Sequence, residues 1–162
     1  MTGADSIVDL AEADSRFIRR LESELGASDL GKCFQCGVCT ASCPVREVEV
    51  SFSPRRIMKL AKMGLRNRVY ASDTIWLCSM CFMCGERCPQ DVRPPEVMTV
   101  LRNMAAKDGF APPNLLKLLD FLKANGRVYA VDDFTNEERA DRGLPEVEPE
   151  PGFIKRISEA KP

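Results

Sequence analysis

The sequence predicts an all-α chain, and three observations indicate this fold class. Apolar residues recur at three- and four-residue spacing in several segments, as they do on the buried face of an amphipathic helix. Prolines and glycines stand at the ends of these segments, where helices start and stop. No two segments read as a convincing pair of strands. We therefore expect helices joined by loops, without a sheet.

The first predicted element is an N-terminal helix within residues 1–27. Gly26 is a natural C-terminal stop for it, because glycine readily adopts the left-handed conformation that ends many helices. The apolar residues that recur at helical spacing before this glycine are Ile7, Leu10, Phe17, Leu21 and Leu25.

Two further helices are predicted between the N-terminal segment and residue 78. In "SPRRIMKLAKMG", Ser53 is a suitable N-cap, Pro54 suits the first helical position and Gly64 ends the helix. "SDTIWLC" then forms a short helix that leads into Cys78. Each of these helices adjoins a cysteine-rich segment.

Two longer helices follow the second cysteine-rich segment. Pro95 can open the first of them, which ends near Gly109. "PPNLLKLLDFLKANG" forms the other, which starts after the proline pair and stops at Gly126.

The C-terminal residues 127–162 are predicted to form an extended docking arm. Thr135 with Glu138 forms a small capping box near its start. The end, "GLPEVEPEPGFIKRISEAKP", is rich in proline and glutamate and has few apolar anchors, which is typical of segments without a packed core.

All eight cysteines lie in two runs of identical spacing. "CFQCGVCTASCP" begins at Cys33, and "CSMCFMCGERCP" begins at Cys78. In each run, cysteines occupy the first, fourth, seventh and eleventh positions, and a proline follows the last one. Histidine is absent, which removes the mixed Cys/His zinc sites and the commonest general base.

The spacing of these runs is typical of iron–sulfur ligation. Three thiolates separated by two residues each can wrap one face of a cluster, and in two-cluster ferredoxins with this run the fourth cysteine ligates the other cluster. We therefore predict two [4Fe–4S] clusters, close enough for electron transfer between them. The predicted ligands are Cys33, Cys36, Cys39 and Cys88 for the first cluster, and Cys78, Cys81, Cys84 and Cys43 for the second.

Zinc and disulfides are the alternatives for these cysteines. Structural zinc sites prefer two separated C-x2-C pairs, and a close triplet with an outlying Cys-Pro is unusual for them. Disulfides belong to oxidising compartments. The N-terminus carries acids where a signal peptide needs a basic flank, and no segment approaches the roughly 18 apolar residues of a membrane span. The sequence thus predicts a cytoplasmic chain without a membrane span.

Charge is balanced over the chain but unevenly distributed. A formal net charge of −1 is untypical of proteins that bind nucleic acid, which are usually basic. From Lys32 to Ser72, eight basic residues stand against two acidic ones, and from Asp132 onward nine acidic residues stand against five basic ones. The basic stretch is either a solvated helix face or a docking surface for an acidic or nucleotide-bearing partner. Its residues are Arg55, Arg56, Lys59, Lys62, Arg66 and Arg68.

No catalytic residue is predicted on this chain. It has neither a glycine-rich dinucleotide fingerprint nor a phosphate-binding loop, and all of its cysteines are assigned as ligands. Two one-electron carriers are then its only chemistry, which indicates an electron relay for another protein's catalysis. The alternatives are a free ferredoxin-like carrier and a zinc-stabilised interaction module.

The sequence around the cysteines resembles a known family. "KCFQCGVCTASCPV" and "TIWLCSMCFMCGERCPQDVRPPEV" closely resemble motifs of the C subunit of heterodisulfide reductase, from about Ser28 to Lys107. A weaker similarity extends to the iron–sulfur subunits of fumarate reductase, glycolate oxidase and anaerobic glycerol-3-phosphate dehydrogenase. The resemblance implies an α-helical ferredoxin domain, which we expect over residues 28–126.

The resemblance also implies a place in a larger enzyme. The C subunit of that family passes electrons from the flavin-bearing A subunit to the disulfide-reducing B subunit. In methanogens the substrate is the mixed disulfide of coenzymes M and B, its reduction is coupled to electron bifurcation, and we expect a larger complex with a hydrogenase or a formate dehydrogenase. The C-C-G repeats of the B subunit are missing here, which is typical of the separate, soluble type. A relay subunit of another flavin-linked oxidoreductase is the alternative.

Overall fold

The structure is a computed structural model that describes residues 8–71 and 73–159. Within these ranges every regular element is helical, which confirms the all-α prediction. The α-helices are α1 (Ser15–Glu22), α2 (Val38–Ala41), α3 (Pro44–Val48), α4 (Pro54–Lys62), α5 (Arg66–Tyr70), α6 (Met83–Glu86), α7 (Pro94–Lys107), α8 (Pro113–Asn125), α9 (Asp133–Asp141) and α10 (Gly152–Glu159). Short 3-10 helices span Leu10–Glu12, Leu30–Lys32 and Asp73–Leu77. In the described part of the chain, no helix is long and apolar enough to cross a bilayer.

The chain divides into two compact units, and the boundary lies between Phe110 and Ala111. The first contains α1 to α7 and both cysteine runs, and the second contains α8 to α10. The predicted domain limits, at residues 27 and 126, rest on the sequence and stay a prediction.

The hydrophobic core of the first unit lies between α1, α4 and α7. Burying a large apolar side chain contributes about 1.5–3 kcal/mol to folding, so the largest of these residues dominate the stability of the unit. They include Phe17, Leu21, Leu30, Phe52, Ile57, Met58, Ile75, Val97, Met98 and Leu101. Cys43 belongs to the same core, and Cys33, Cys78 and Cys88 pack against it. The core therefore supports both cysteine runs directly.

The ends of α4 follow the predicted capping pattern. Its first residue is Pro54, and the Ser53 hydroxyl accepts a hydrogen bond from the Arg56 N–H at 3.3 Å. The helix ends at Lys62, and Gly64 follows with a φ of +74°. The proline-opened α7 and α8 also appear where they are predicted, within one residue of their expected starts.

The N-terminal segment differs from its prediction. Instead of one helix that ends at Gly26, the chain has a 3-10 helix at Leu10–Glu12 and then α1. Asp14 accounts for the break, because its carboxylate accepts a hydrogen bond from the Arg16 N–H at 2.8 Å and so caps a new helix. Ile7, the first apolar residue of the predicted helix, lies outside the described residues.

The predicted apolar face of that segment is only partly buried. Phe17 and Leu21 lie in the core, as their spacing predicts. Leu10 and Leu25 are exposed, and Leu25 retains 95% of its surface. Leu25 lies beyond the last residue of α1, so the helical period that aligns it with Leu21 no longer applies there.

Two helices, α9 and α10, lie within residues 127–162, which the sequence predicts to be an extended arm, and the composition of the segment does not predict α10. Residues 144–150 are irregular, as an extended arm would be, but Gly152–Glu159 form α10. Phe153, Ile154 and Ile157 provide an apolar stripe at helical spacing, which the preceding prolines and glutamates obscure. Within the second unit, α10 contacts α8.

The capping box predicted at Thr135 and Glu138 is wrong. The cap of α9 is Asp132, whose carboxylate accepts a hydrogen bond from the Thr135 N–H at 2.8 Å. Thr135 thus lies inside the first turn, because the aspartate three residues earlier supplies the better acceptor.

Gly126 ends α8 at a close approach between two backbone segments. Its φ is +74°, and a Cβ built there would clash with the carbonyl group of Glu150. Gly143 has a similar φ of +68°, but no heavy atom of the described residues lies within 4 Å of a Cβ built there. Alanine substitution at Gly143 therefore measures the cost of the left-handed conformation alone, and substitution at Gly126 adds the cost of a backbone clash.

We expect Gly126→Ala to destabilise the second unit by about 3 kcal/mol or more, against about 1–2 kcal/mol for Gly143→Ala. Hydrogen exchange of the α8 and α10 amides measures the difference in the full chain. Equal increases in exchange for the two variants would show that the approach of Glu150 to Gly126 does not constrain the unit.

Candidate iron–sulfur sites

Both cysteine runs follow the same backbone path. The second cysteine of each run stands between two residues with a left-handed φ. These are Gln35 (+64°) and Gly37 (+89°) in the first run, and Met80 (+55°) and Phe82 (+62°) in the second. Left-handed residues within a loop can turn successive N–H groups toward one concave side, where they stabilise negative charge. The repeat in sequence is therefore also a repeat in backbone structure.

The third cysteine of each run lies on a one-turn helix. Cys39 belongs to α2 and Cys84 belongs to α6, and these two helices contact each other. Each is also supported by the longer helix that follows its run, since α2 contacts α4 and α6 contacts α7. The two runs consequently lie side by side.

One cavity is bounded by three cysteines of the first run and the last cysteine of the second. It holds about 390 Å³ of space, including its open side. The cysteines that line this first cavity are Cys33, Cys36, Cys39 and Cys88. Apolar neighbours include Phe34, Val38, Met58 and Val92, and the charged residue Arg55 also lies in its wall.

A second cavity has the reciprocal composition. It holds about 300 Å³, including its open side, and no charged residue lines it among those that the structure describes. Its cysteines are Cys43, Cys78, Cys81 and Cys84. Val45, Phe52, Phe82 and Met98 are among its apolar neighbours. The structure thus brings together the same two groups of four cysteines that the spacing predicts as ligand sets.

The donors around these cavities suit a polynuclear iron–sulfur group. Each cavity presents four soft sulfur atoms within a mostly apolar wall, and four thiolates complete the coordination of a [4Fe–4S] cluster. Among the described residues, no three His, Cys, Asp or Glu side chains are grouped closely enough to hold a single metal ion.

Burial raises the pKa of one thiol in each cavity. It raises the pKa of Cys84 to about 12, and negative charge on the nearby Cys78 and Cys39 adds to the increase. Burial is also the main reason why the pKa of Cys39 is raised. Both pKa values lie above neutral, so the free thiols are protonated at pH 7, and a metal that bound either of them as a thiolate would release a proton.

Two donors reach cysteine sulfurs in the first cavity. The Gln35 side-chain amide donates to Cys33 Sγ at 3.3 Å, and the Val92 N–H donates to Cys88 Sγ at 3.4 Å. Hydrogen bonds of this kind stabilise a thiolate and help to set the reduction potential of a cluster. The cysteine spacing does not reveal either donor, since both depend on the fold of the loop around the sulfur.

Two residues near the cysteines have roles that the sequence leaves open. Trp76, two residues before Cys78, is half-buried and packs against the hydrophobic core. Arg55 belongs to the basic stretch but lines the first cavity, so that part of the stretch is a wall of the site rather than a separate helix face.

Comparison with known proteins identifies a domain that covers both cysteine runs. A family model described as a 4Fe-4S dicluster domain matches residues 29–92, which contain all eight cysteines. A protein of Methanothermobacter marburgensis, named as the C subunit of H2:CoB-CoM heterodisulfide,ferredoxin reductase, is 34% identical over 145 residues, which cover 90% of this chain and 77% of that protein. This chain belongs to the family of heterodisulfide reductase C subunits.

Other members of the C-subunit family are similarly related. The C2 subunit of an H2/formate:CoB-CoM heterodisulfide,ferredoxin reductase from Methanococcus maripaludis is 39% identical over 127 residues, which are 78% of this chain and 67% of that protein. The C subunit of ferredoxin:CoB-CoM heterodisulfide reductase from Methanosarcina mazei is 31% identical over 132 residues, which are 82% of this chain and 79% of that protein. The predicted resemblance is confirmed, and the chain contains a 4Fe-4S dicluster domain.

Proposed function

We propose that this chain is the electron-relay subunit of a heterodisulfide reductase complex and that it holds two [4Fe–4S] clusters. The observation that carries the proposal is the grouping of four cysteines around each of two adjacent cavities, in a member of the C-subunit family. Cys33, Cys36, Cys39 and Cys88 would hold one cluster, and Cys43, Cys78, Cys81 and Cys84 would hold the other.

The residues of the chain provide what a relay needs. A [4Fe–4S] cluster, when bound, supplies a carrier for one electron at a time. The apolar walls of both cavities limit access of water to the site, which affects the potential of such a group. Cys36 and Cys81 are exposed, so each site has an edge at the surface where an electron can enter or leave.

The partners and the substrate belong to the proposal and come from the family. Relatives are named for the reduction of the CoB-CoM heterodisulfide, with H2, formate or ferredoxin as the other reactants. We infer that this chain transfers electrons from the flavin-bearing A subunit to the disulfide-reducing B subunit. A further association with a hydrogenase or a formate dehydrogenase, and a cytoplasmic location that keeps the thiols reduced, complete the proposal.

Anoxic purification of the tagged chain from its own cells tests this function. We expect it to elute with an FAD protein and a C-C-G-rich protein, and to contain about eight iron and eight sulfide per chain, as two four-iron clusters require. Elution with a flavoprotein but without the C-C-G-rich protein would indicate another flavin-linked oxidoreductase. A chain that elutes alone and exchanges electrons as a monomer would contradict the complex, and a colourless zinc protein would contradict the clusters.

A further inference from the structure

In each run, one cationic side chain donates hydrogen bonds to backbone carbonyl groups at and just before the first cysteine. Lys62, the last residue of α4, donates from Nζ to the Gly31 carbonyl at 2.8 Å and to the Cys33 carbonyl at 2.9 Å. Arg102 of α7 donates from Nε to the Ile75 carbonyl and from a terminal guanidinium nitrogen to the Cys78 carbonyl, each at 2.7 Å.

The hydrogen bonds of Lys62 and Arg102 follow the same pattern, although the two residues differ in type and in their distance from the run. In each half of the repeat, the cation comes from the long helix that follows the run. It bonds the carbonyl of the first cysteine and one carbonyl two or three residues earlier. One half uses a lysine and the other an arginine, at different distances from the run, so the cysteine spacing does not predict the contact. The shared feature is a positive charge at the first ligand.

Among the residues that the structure describes, no ion pair neutralises the charge at either of these positions. Within the described ranges, no carboxylate lies within ion-pairing distance of Lys62 or Arg102. Reduction adds one negative charge to an iron–sulfur cluster, so a nearby positive charge favours the reduced form. Net charge and hydrogen bonding are among the properties that set the potential of a bound cluster.

We propose that Lys62 and Arg102 are paired positioning residues, each of which raises the reduction potential of the cluster held by its own run. The proposal rests on the function proposed above, because it needs both clusters. Lys62 would act on the cluster of Cys33, and Arg102 on the cluster of Cys78. The larger effect is expected for Arg102, since its side chain is half-buried, whereas solvent and salt screen the exposed Lys62.

Redox titration of the full chain, followed by electron paramagnetic resonance, tests the proposal in Lys62→Met and Arg102→Met. Lys59→Met on α4 and Lys107→Met on α7 are matched controls, because each removes an exposed charge from the same helix. We expect Arg102→Met to weaken reduction of one cluster about tenfold, which is about 59 mV for one electron, and to leave the other unchanged. Lys62→Met should lower the potential of the other cluster by a smaller amount, and the controls should remain near wild type.

Arg102→Lys separates the charge from the two-pronged hydrogen bonding. It keeps the positive charge, so its potential should return most of the way to the wild-type value, which a purely structural role would not produce. Potentials unchanged in Lys62→Met and Arg102→Met, with about eight iron retained, would overturn the proposal, and so would equal shifts in the controls. If Arg102→Met does not retain its cluster, the exposed Lys62 decides the question through the Lys62→Met potential. A wild-type chain without clusters would instead contradict the proposed function.

Discussion

Replacing Cys43 with serine is expected to remove the cluster held by Cys78, Cys81 and Cys84, and to leave the cluster of the first run in place. Cys43 lies in the first run but lines the second cavity, so its loss leaves the second site one thiolate short. Iron content should fall from about eight to about four per chain, or to about seven if a three-iron cluster persists. Cys88→Ser should have the reciprocal effect, because Cys88 lines the first cavity.

Double replacements determine which cysteines share a cluster. If Cys43 and Cys81 bind the same cluster, the variant with both serines loses no more iron than the more damaged single variant, because the two changes affect one site. Cys43→Ser combined with Cys36→Ser should lose both clusters. The opposite pattern, with the larger loss in the Cys43 and Cys81 pair, would show that each run completes its own cluster.

Phe52→Ala is expected to destabilise the first unit by about 3–5 kcal/mol, the usual cost of removing a buried aromatic side chain. Phe52 is 0% exposed, belongs to the hydrophobic core and also lines the second cavity. A loss of this size should lower the apparent unfolding temperature by about 10–20 °C in a domain of this length. We also expect faster loss of iron from the second site to a chelator, because water gains access to it.

Phe34→Ala is the matched control for Phe52→Ala. Phe34 lines the first cavity but is 60% exposed, so its replacement should cost less than about 1 kcal/mol. Differential scanning calorimetry of the anoxic, cluster-loaded chains compares the two variants. Equal decreases in unfolding temperature would mean that the core around Phe52 does not support the second site.

Local signals in the sequence predict much of the fold and the candidate site. Ser53, Pro54 and Gly64 locate α4, because capping depends on residues next to the helix end. The cysteine spacing predicts the groups that line each cavity, including the exchange of Cys43 and Cys88. The end of the helix is predictable because capping depends on adjacent residues, and the cysteine groups are predictable because this spacing is typical of two-cluster ferredoxins, in which the fourth cysteine joins the other run.

The sequence does not predict several features that depend on competition between alternative helix caps or on contacts between residues far apart in the chain. The helical period continues through the N-terminal segment, but the Asp14 carboxylate caps a new helix and ends the continuity. Composition hides α10 behind a proline-rich stretch, although Phe153 and Ile157 have helical spacing. Lys62 reads as one charge among several, because its bond to the Cys33 carbonyl spans 29 residues.

The position of Cys88 in the wall of the first cavity also has a consequence for the synthesis of the protein. Under the proposed pairing, Cys33, Cys36 and Cys39 leave the ribosome without their fourth ligand, which follows Cys39 by 49 residues (88 − 39). At about 5–20 residues per second, the gap lasts about 2–10 s. The second site is incomplete in the same way, because Cys43 is synthesised before its other three cysteines, the last of which is Cys84. Iron and sulfide delivered to the nascent chain would find no finished site, so under this pairing both clusters would be inserted only after the second run has been made.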